Sequence, residues 1–368
     1  MPLKKIHRLA IAAMCLAIWL PLSPLTGWTF CPHQSPIVFA DAAGRTVKLA
    51  GAPHRIVVIG DGPYILAHLL YMFPEGRARM IGMERKGRTA SEFLPLVDPD
   101  FGKKTFLDPN PGPEQIAGLH PDLVLMRGSS ADPKTDALAK IGIQVAFLGL
   151  ETPAEYERDL KTIGLLLENP RRAEEVSSYF RSRREAVEAG LAGLSDAAKP
   201  RVLLAMAIAR AGKVAVQVPA RGWMQTLQVQ AAGGIPVWLD SAHPVTGWTV
   251  VNLEQIASWN PDKITIVFWH SMDPQKALDD FKADSRWAAL KAVRDGEFRA
   301  FPADIYGWDT PDPRWILGLT WLAARNHPDR FPGYDVESEL DRFFGELYGL
   351  DHAAVETKIR PSIRMDLR

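Results

Sequence analysis

The chain has 368 residues, long enough for two domains of ordinary size, and a composition of 47% hydrophobic and 23% charged residues excludes a disordered chain. Its 43 Lys and Arg balance 43 Asp and Glu, and no long basic run breaks that balance, so nothing general recruits nucleic acid. Lys4, Lys5, His7 and Arg8 precede an uncharged apolar run, Leu9 to Leu20, which has the length of an export signal and is short for a membrane span. A signal peptide over residues 1–27 is expected, cut near Gly27. Trp28-Thr29-Phe30 before Cys31 makes a poor lipidation box, which argues against a lipid anchor. Cys15 lies inside the signal, so Cys31 is left alone and no intrachain disulfide is expected.

Ile37 to Leu49 reads as a hairpin turning at Asp41-Ala-Ala-Gly-Arg45. Arg55 to Gly60 is a buried strand that runs through Gly60-Asp61-Gly62-Pro63 into an apolar helix, Tyr64 to Tyr71. This G-x-G lacks the third glycine of a dinucleotide fingerprint, since Ile65 stands there, so a nucleotide site is disfavoured. Strands follow at Met80–Met83, Leu123–Met126 and Gln144–Leu148, with a helix over Asp136–Ile141 ended by Gly142. From Pro153 to Leu194 apolar residues recur at helical spacing, and Asn169-Pro170 divides them into two helices, the second long and highly charged. Strands return at Arg201 and at Val214–Val218, then a helix over Trp223–Ala232. A strand at Ile264–Phe268, a helix over Trp287–Val293 and a strand at Phe298–Phe301 come next. The chain closes with helices over Trp315–Ala324 and Val336–Tyr348.

One segment occurs twice. Glu114-Gln-Ile-Ala-Gly-Leu-His-Pro-Asp122 and Glu254-Gln-Ile-Ala-Ser-Trp-Asn-Pro-Asp262 each lead into an apolar strand. Proline disfavours helix in the residue before it, so each helix should stop near His120 or Asn260. Two such units, each in its own βα context, imply two similar lobes with a ligand cleft between them.

The Asp41-Ala-Ala-Gly-Arg-Thr-Val and Pro53-His-Arg-Ile-Val-Val segments, the repeat, the long mid-chain helix and Pro313-Arg-Trp-Ile-Leu-Gly-Leu-Thr-Trp-Leu-Ala before Tyr334-Asp335 occur in a telling order. In that order and spacing the chain resembles the periplasmic substrate-binding proteins of ABC importers for iron–siderophore complexes, haem and vitamin B12 (class III, with a rigid inter-lobe helix). The resemblance implies an α/β fold of two Rossmann-like lobes joined by a single long α-helix. The corresponding segments are an N-terminal lobe over 36–152, a helical segment with the spacer over 153–195, a C-terminal lobe over 200–350 and a tail over 351–368. It also implies a monomeric, periplasmic, non-enzymatic receptor without intrinsic cofactor, which hands a ferric siderophore or haem to an inner-membrane permease dimer. Cobalamin or an oxyanion such as molybdate is the alternative cargo. An exported enzyme or structural protein on a similar scaffold is the alternative class, although no Gly-x-Ser-x-Gly, His-Glu-x-x-His or phosphate loop occurs. In the vitamin B12-binding member a glutamate opening this helix in each lobe contacts permease arginines; Glu114 and Glu254 match those positions, where a carboxylate also favours a helix N-terminus through the dipole.

Ligands in open α/β sheets sit outside the carboxyl ends of strands. That rule selects Tyr64, Arg85, Lys86, Asp108 and Arg127 in the first lobe. In the second it selects Trp248, Trp269, His270, Tyr306 and Trp308, with Arg221 and Trp223 nearby. Arg and Lys suit an anionic chelate, and Trp and Tyr offer flat faces to an aromatic or macrocyclic one. Each has a plainer role open to it: tryptophans at strand ends are often core, Arg127 can pair with an acidic neighbour, and Asp61 between glycines suits a turn. His270 is the one candidate metal ligand, and otherwise a surface histidine.

Overall fold

The computed structural model describes residues 35–85, 93–128, 133–210, 213–242, 247–268 and 272–363. The signal segment lies outside these residues. So do Lys86, Trp269 and His270.

β1 (Ile37–Ala40) and β2 (Thr46–Leu49) form the expected hairpin, in antiparallel register Ile37↔Leu49. Its turn is built on Asp41, whose carboxylate accepts the N–H groups of Ala43 and Arg45 and the Arg45 guanidinium at 2.7 Å. The first lobe follows as β3 (Ile56–Gly60), α1 (Pro63–Leu70), α2 (Pro74–Arg79), β4 (Met80–Glu84), α3 (Leu94–Val97), β5 (Thr105–Leu107), α4 (Pro113–Ala117), β6 (Leu123–Arg127), α5 (Pro133–Lys140) and β7 (Gln144–Leu148). Its sheet is parallel throughout, in the order β5-β4-β3-β6-β7. The central strand β3 is buried along its apolar length, as a parallel strand covered on both faces must be.

α6 (Pro153–Leu166) and α7 (Pro170–Gly190) carry the chain out of this lobe. Asn169 caps α7, its side-chain oxygen accepting from Arg172 N at 3.0 Å, and Pro170 occupies the first turn, where its missing N–H costs nothing. Gly164 lets the two helices meet closely, because a Cβ there would stand 2.4 Å from the Ala173 Cβ. Arg172 then ties α7 across the molecule by donating to the carbonyls of Met72, Glu346 and Leu347.

The second lobe contains β8 (Arg201–Arg210), β9 (Lys213–Val218), α8 (Met224–Ala231), β10 (Ile235–Pro236), β11 (Thr249–Val251), α9 (Leu253–Trp259), β12 (Lys263–Phe268), α10 (Pro274–Ala283), α11 (Ser285–Ala288), α12 (Lys291–Arg294), β13 (Phe298–Ala300), α13 (Trp315–Asn326) and α14 (Val336–Tyr348). The sheet order is β11-β9-β8-β12-β13, with β10 alongside the start of β8; β9 and β11 run antiparallel to their neighbours. The fold is thus two α/β lobes joined through a long helix, with a cleft between them. One expected helix is broken: Leu290, extended at ψ 141°, divides Trp287–Val293 into the single turns α11 and α12.

The repeated segment builds the same joint in each lobe. Gln115 and Gln255 stand at the third helical position and accept the backbone N–H of Gly112 and Asn252 at 2.9 and 3.0 Å. His120 and Asn260, each before its proline, turn left-handed at φ 46° and 44°. Asp122 then accepts the N–H groups of His54 and Arg55, and Asp262 that of Arg201, which fixes the starts of β3 and β8. Arg55 and Arg201 reach back to the carbonyls that end α4 and α9: Leu119 and His120 in one lobe, Trp259 in the other.

Candidate ligand cleft

The carboxyl ends of the first sheet converge on Arg127. Register Gly60↔Arg127↔Leu148 aligns the ends of β3, β6 and β7. Gly60 and Gly62, both left-handed at φ 94° and 61°, turn the chain tightly between β3 and α1. A side chain at Gly62 would crowd Ile65 at 3.0 Å and the Arg127 guanidinium at 3.4 Å, so the G-x-G here makes room for an arginine rather than a pyrophosphate. The Gly60 N–H donates to the Glu84 carboxylate at 2.7 Å, and the Asn110 N–H donates to its other oxygen at 2.8 Å, so buried Glu84 is a loop brace.

Arg127 is paired on both sides. It donates to the Asp61 carboxylate at 3.0 Å, to the Asp61 carbonyl at 3.2 Å and to Glu151 at 3.2 Å. The other Glu151 oxygen accepts the Met224 N–H that opens α8, at 2.9 Å, and so joins the two lobes. Burial pushes the Glu151 carboxyl above its ordinary range despite these donors.

Tyr64 of α1 meets Tyr306 of the second lobe with ring centroids 4.2 Å apart, and Trp223 meets Trp248 edge-on at 5.6 Å. Both pairs are partly exposed. Burial, and then the nearby Asp312 carboxylate, push the Tyr64 phenol upward. Beneath Tyr64 and Tyr306 lies a fully buried polar cluster. His68 pairs with Asp312 through Nδ1; Arg314 binds Asp312 at 3.0 Å and Asp304 at 2.7 Å. Burial acts to raise the Asp312 carboxyl, but His68 and Arg314 outweigh it and hold it low. Tyr156 of α6 donates to the Pro311 carbonyl, so α1 and α6 of one side both grip the segment before α13.

The strand-end rule places the selected residues unequally. Tyr64 and Tyr306 meet each other, Trp248 meets Trp223, and Arg127 is held by Asp61 and Glu151. Arg85 and Asp108 stand one residue past the paired strand ends Glu84↔Leu107, two and three strands from Arg127, with the Arg85 guanidinium 5.3 Å from the Phe106 ring centroid. Trp308 departs from expectation: it is 0% exposed, and its indole donates to Asp304 at 3.0 Å, so it supports the cluster from within instead of facing the cleft. Glu114 and Glu254 are exposed at matching second positions of α4 and α9. Sequence reasoning passed over Glu151, His68 and Asp312. Their only signal was a histidine within an apolar helix and acids flanking a helix start or a proline. Among the described residues no group of three or more His, Cys, Asp or Glu side chains could hold a metal ion, and no helix is long and apolar enough to cross a membrane. Small concavities among α6, α7, α8 and α13 share Pro153, Arg184 and Trp315, and none of the strand-end residues lines them.

Residues 98–305, more than half of the chain, match the family described as periplasmic binding protein. The molybdate-binding protein MolA of Haemophilus influenzae is 23% identical over 256 residues, covering 64% of this chain and 69% of that protein. Its molybdate-bound structure superposes with a TM-score of 0.68 at 17% identity, covering 86% of this chain and 98% of that one. A periplasmic solute binding protein from Veillonella parvula reaches 0.68 at 22% identity, covering 89% and 98%. Helicobacter pylori CeuE with Ni(II) bound reaches 0.66 at 19% identity, covering 88% and 99%. The chain belongs to the periplasmic binding protein family, a family of non-catalytic transport receptors of the periplasm, and shares the two-lobed fold of the solved solute-binding proteins above.

Proposed function

We propose that the inter-lobe cleft captures a metal chelate, a ferric siderophore or haem, and delivers it as a monomer to an inner-membrane permease dimer. The observation that carries this reading is the pair of aromatic contacts at the cleft, Tyr64 with Tyr306 and Trp223 with Trp248. Flat, partly exposed rings suit the faces of an aromatic or macrocyclic chelate. Arg127 and, further out, Arg85 and Asp108 supply polar contacts. Lys86, Trp269 and His270 belong to the same proposed set by their place after β4 and β12, with His270 as the one candidate for the cargo metal. The likeness to CeuE, whose structure holds Ni(II), supports a metal cargo. The likeness to MolA, with Arg127 at the strand ends, supports the second reading, an oxyanion such as molybdate. Cobalamin suits the aromatic contacts equally.

Titration with ferric chelates, haem and cobalamin, followed by tryptophan emission, tests the leading reading. A saturable quench is expected, and Trp248→Leu should shrink it. A quench unchanged in that variant would place the ligand elsewhere.

The permease contact is assigned to Glu114 and Glu254. Two exposed carboxylates at equivalent helix starts of two similar lobes can meet a two-fold partner symmetrically. Changing both to Ala should leave cargo affinity intact and abolish import; weakened binding by the purified double variant would contradict this role.

A further inference from the structure

We propose that Asp304 is a positioning residue of the cleft: through Arg314 and Asp312 it registers the Tyr306 ring against Tyr64, so that a cargo meets the two rings as one preformed surface. The inference rests on the reading of the cleft as the ligand site and deepens it.

The loop that carries Tyr306 connects β13 to α13, and Ala303 and Gly307 form a single antiparallel bridge across it. Asp304 closes this loop twice. Its N–H donates to the Tyr306 carbonyl at 3.1 Å, and its carboxylate accepts the Tyr306 N–H at 3.1 Å. An aspartate that bonds the backbone two residues on fixes a turn locally. The same carboxylate accepts from the Trp308 indole at 3.0 Å.

These local bonds alone would leave the loop free to swing as a unit, and the Arg314 guanidinium prevents that. Its Nε donates to both Asp304 oxygens at 2.7 and 2.9 Å, and a second nitrogen donates to Asp312 at 3.0 Å. Asp312 pairs in turn with His68 Nδ1. His68 follows Tyr64 by one turn of α1, so the two share a face of that helix, and their ring centroids stand 6.1 Å apart. The His68 ring also meets Tyr306 edge-on at 5.7 Å. Tyr64 and Tyr306 are therefore the two ends of one chain of contacts, and those ends meet with centroids 4.2 Å apart. Phe93 packs against two of the links, 4.4 Å from the Arg314 guanidinium and 5.1 Å from the His68 ring.

His68, Asp304, Asp312 and Arg314 are all buried, while both tyrosines are partly exposed. Opening a buried ion pair strands a charge, so the links resist separation. Rings held in place before the cargo arrives cost less to order when it binds.

Nuclear Overhauser contacts between rings, in the full-length mature protein labelled at Tyr and Phe, read this geometry without a cargo. The wild type should show a Tyr64–Tyr306 cross-peak, assigned by its loss in Tyr306→Leu. Asp304→Asn keeps the size and the acceptor for Tyr306 N but removes the charge that holds Arg314. D304N should lose this cross-peak and keep that of Phe343 with Tyr348, whose centroids lie 5.7 Å apart and report an intact fold. His68→Gln cuts the chain at its other end, should have the same effect, and decides the matter if D304N does not fold. A cross-peak missing from the wild type, or retained in folded D304N or in H68Q in its place, would overturn the proposal. Haemin titration then reads the consequence for cargo: D304N and Tyr306→Leu should each weaken binding several-fold, and the double variant should bind no more weakly than Tyr306→Leu alone. Additive losses would show that Asp304 does not act through Tyr306. A wild type that takes up neither haemin nor a ferric catecholate counts against the receptor reading, whereas the cross-peak still judges the brace.

Discussion

At the scale of single residues, the buried acids behind the cleft differ by the company they keep. Asp312 has His68 and Arg314 against it and stays ionised. Asp309 is 3% exposed, its carboxylate accepting from Gln225 Nε2 at 3.2 Å, and burial pushes its carboxyl from 3.8 up to about 6. The folded state therefore holds a proton that the unfolded chain releases between these two values. The Asp309 contribution to stability is full below the unfolded pKa and is lost as pH rises to the folded one. A shift of this size corresponds to about 3 kcal/mol. Asp309→Asn should then stabilise the protein at pH 7.5 by up to that amount, with the gain shrinking as pH falls from 6 to 4. Urea unfolding across this range checks it, and a gain independent of pH would show that ionisation of Asp309 is not its source. None of this was legible in the sequence: Asp304, Asp309 and Asp312 look like loop acids, and their burial depends on α1 and α6 closing over the segment before α13.

At the scale of elements, the repeated helix–strand joint was readable because its determinants are local. Glutamine at the third helical position, a proline that ends the helix and an apolar run each act within a few residues. The partners of that joint were not readable, because Asp122 holds Arg55 and Asp262 holds Arg201 from over sixty residues away. Asp122 fixes the residue that leads into β3 and Asp262 the first residue of β8, so Asp122→Ala and Asp262→Ala should each cost about 1–2 kcal/mol in urea unfolding. A cost near zero for both would mean that these bonds merely accompany strands held by packing. Short edge elements escaped for a different reason: β5, β10 and β11 span three, two and three residues, too few for a periodic signal. The split of Trp287–Val293 escaped because one extended residue, Leu290, leaves the apolar spacing intact. Of the residues that the strand-end rule selects, Tyr64 meets Tyr306 and Trp248 meets Trp223, while Trp308, which lies between two buried acids, Asp304 and Asp309, turns inward to bind the first.

At the scale of the whole molecule, α7 is one of several links between the lobes. The His68–Asp312–Arg314 cluster, the Glu151 bond to Met224 and the Arg172 contacts on α14 tie them as well. Buried ion pairs of this kind are costly to open, because separation strands a charge. A cleft braced from behind meets its cargo with surfaces largely in place, which lowers the cost of ordering them on binding. The claim that depends on all of this is that the cleft carries a metal chelate. Native mass spectrometry with metal analysis on the mature protein, purified from periplasm without refolding, tests it most directly. One stoichiometric added mass carrying iron is the predicted result; molybdenum bound without an organic partner would contradict it.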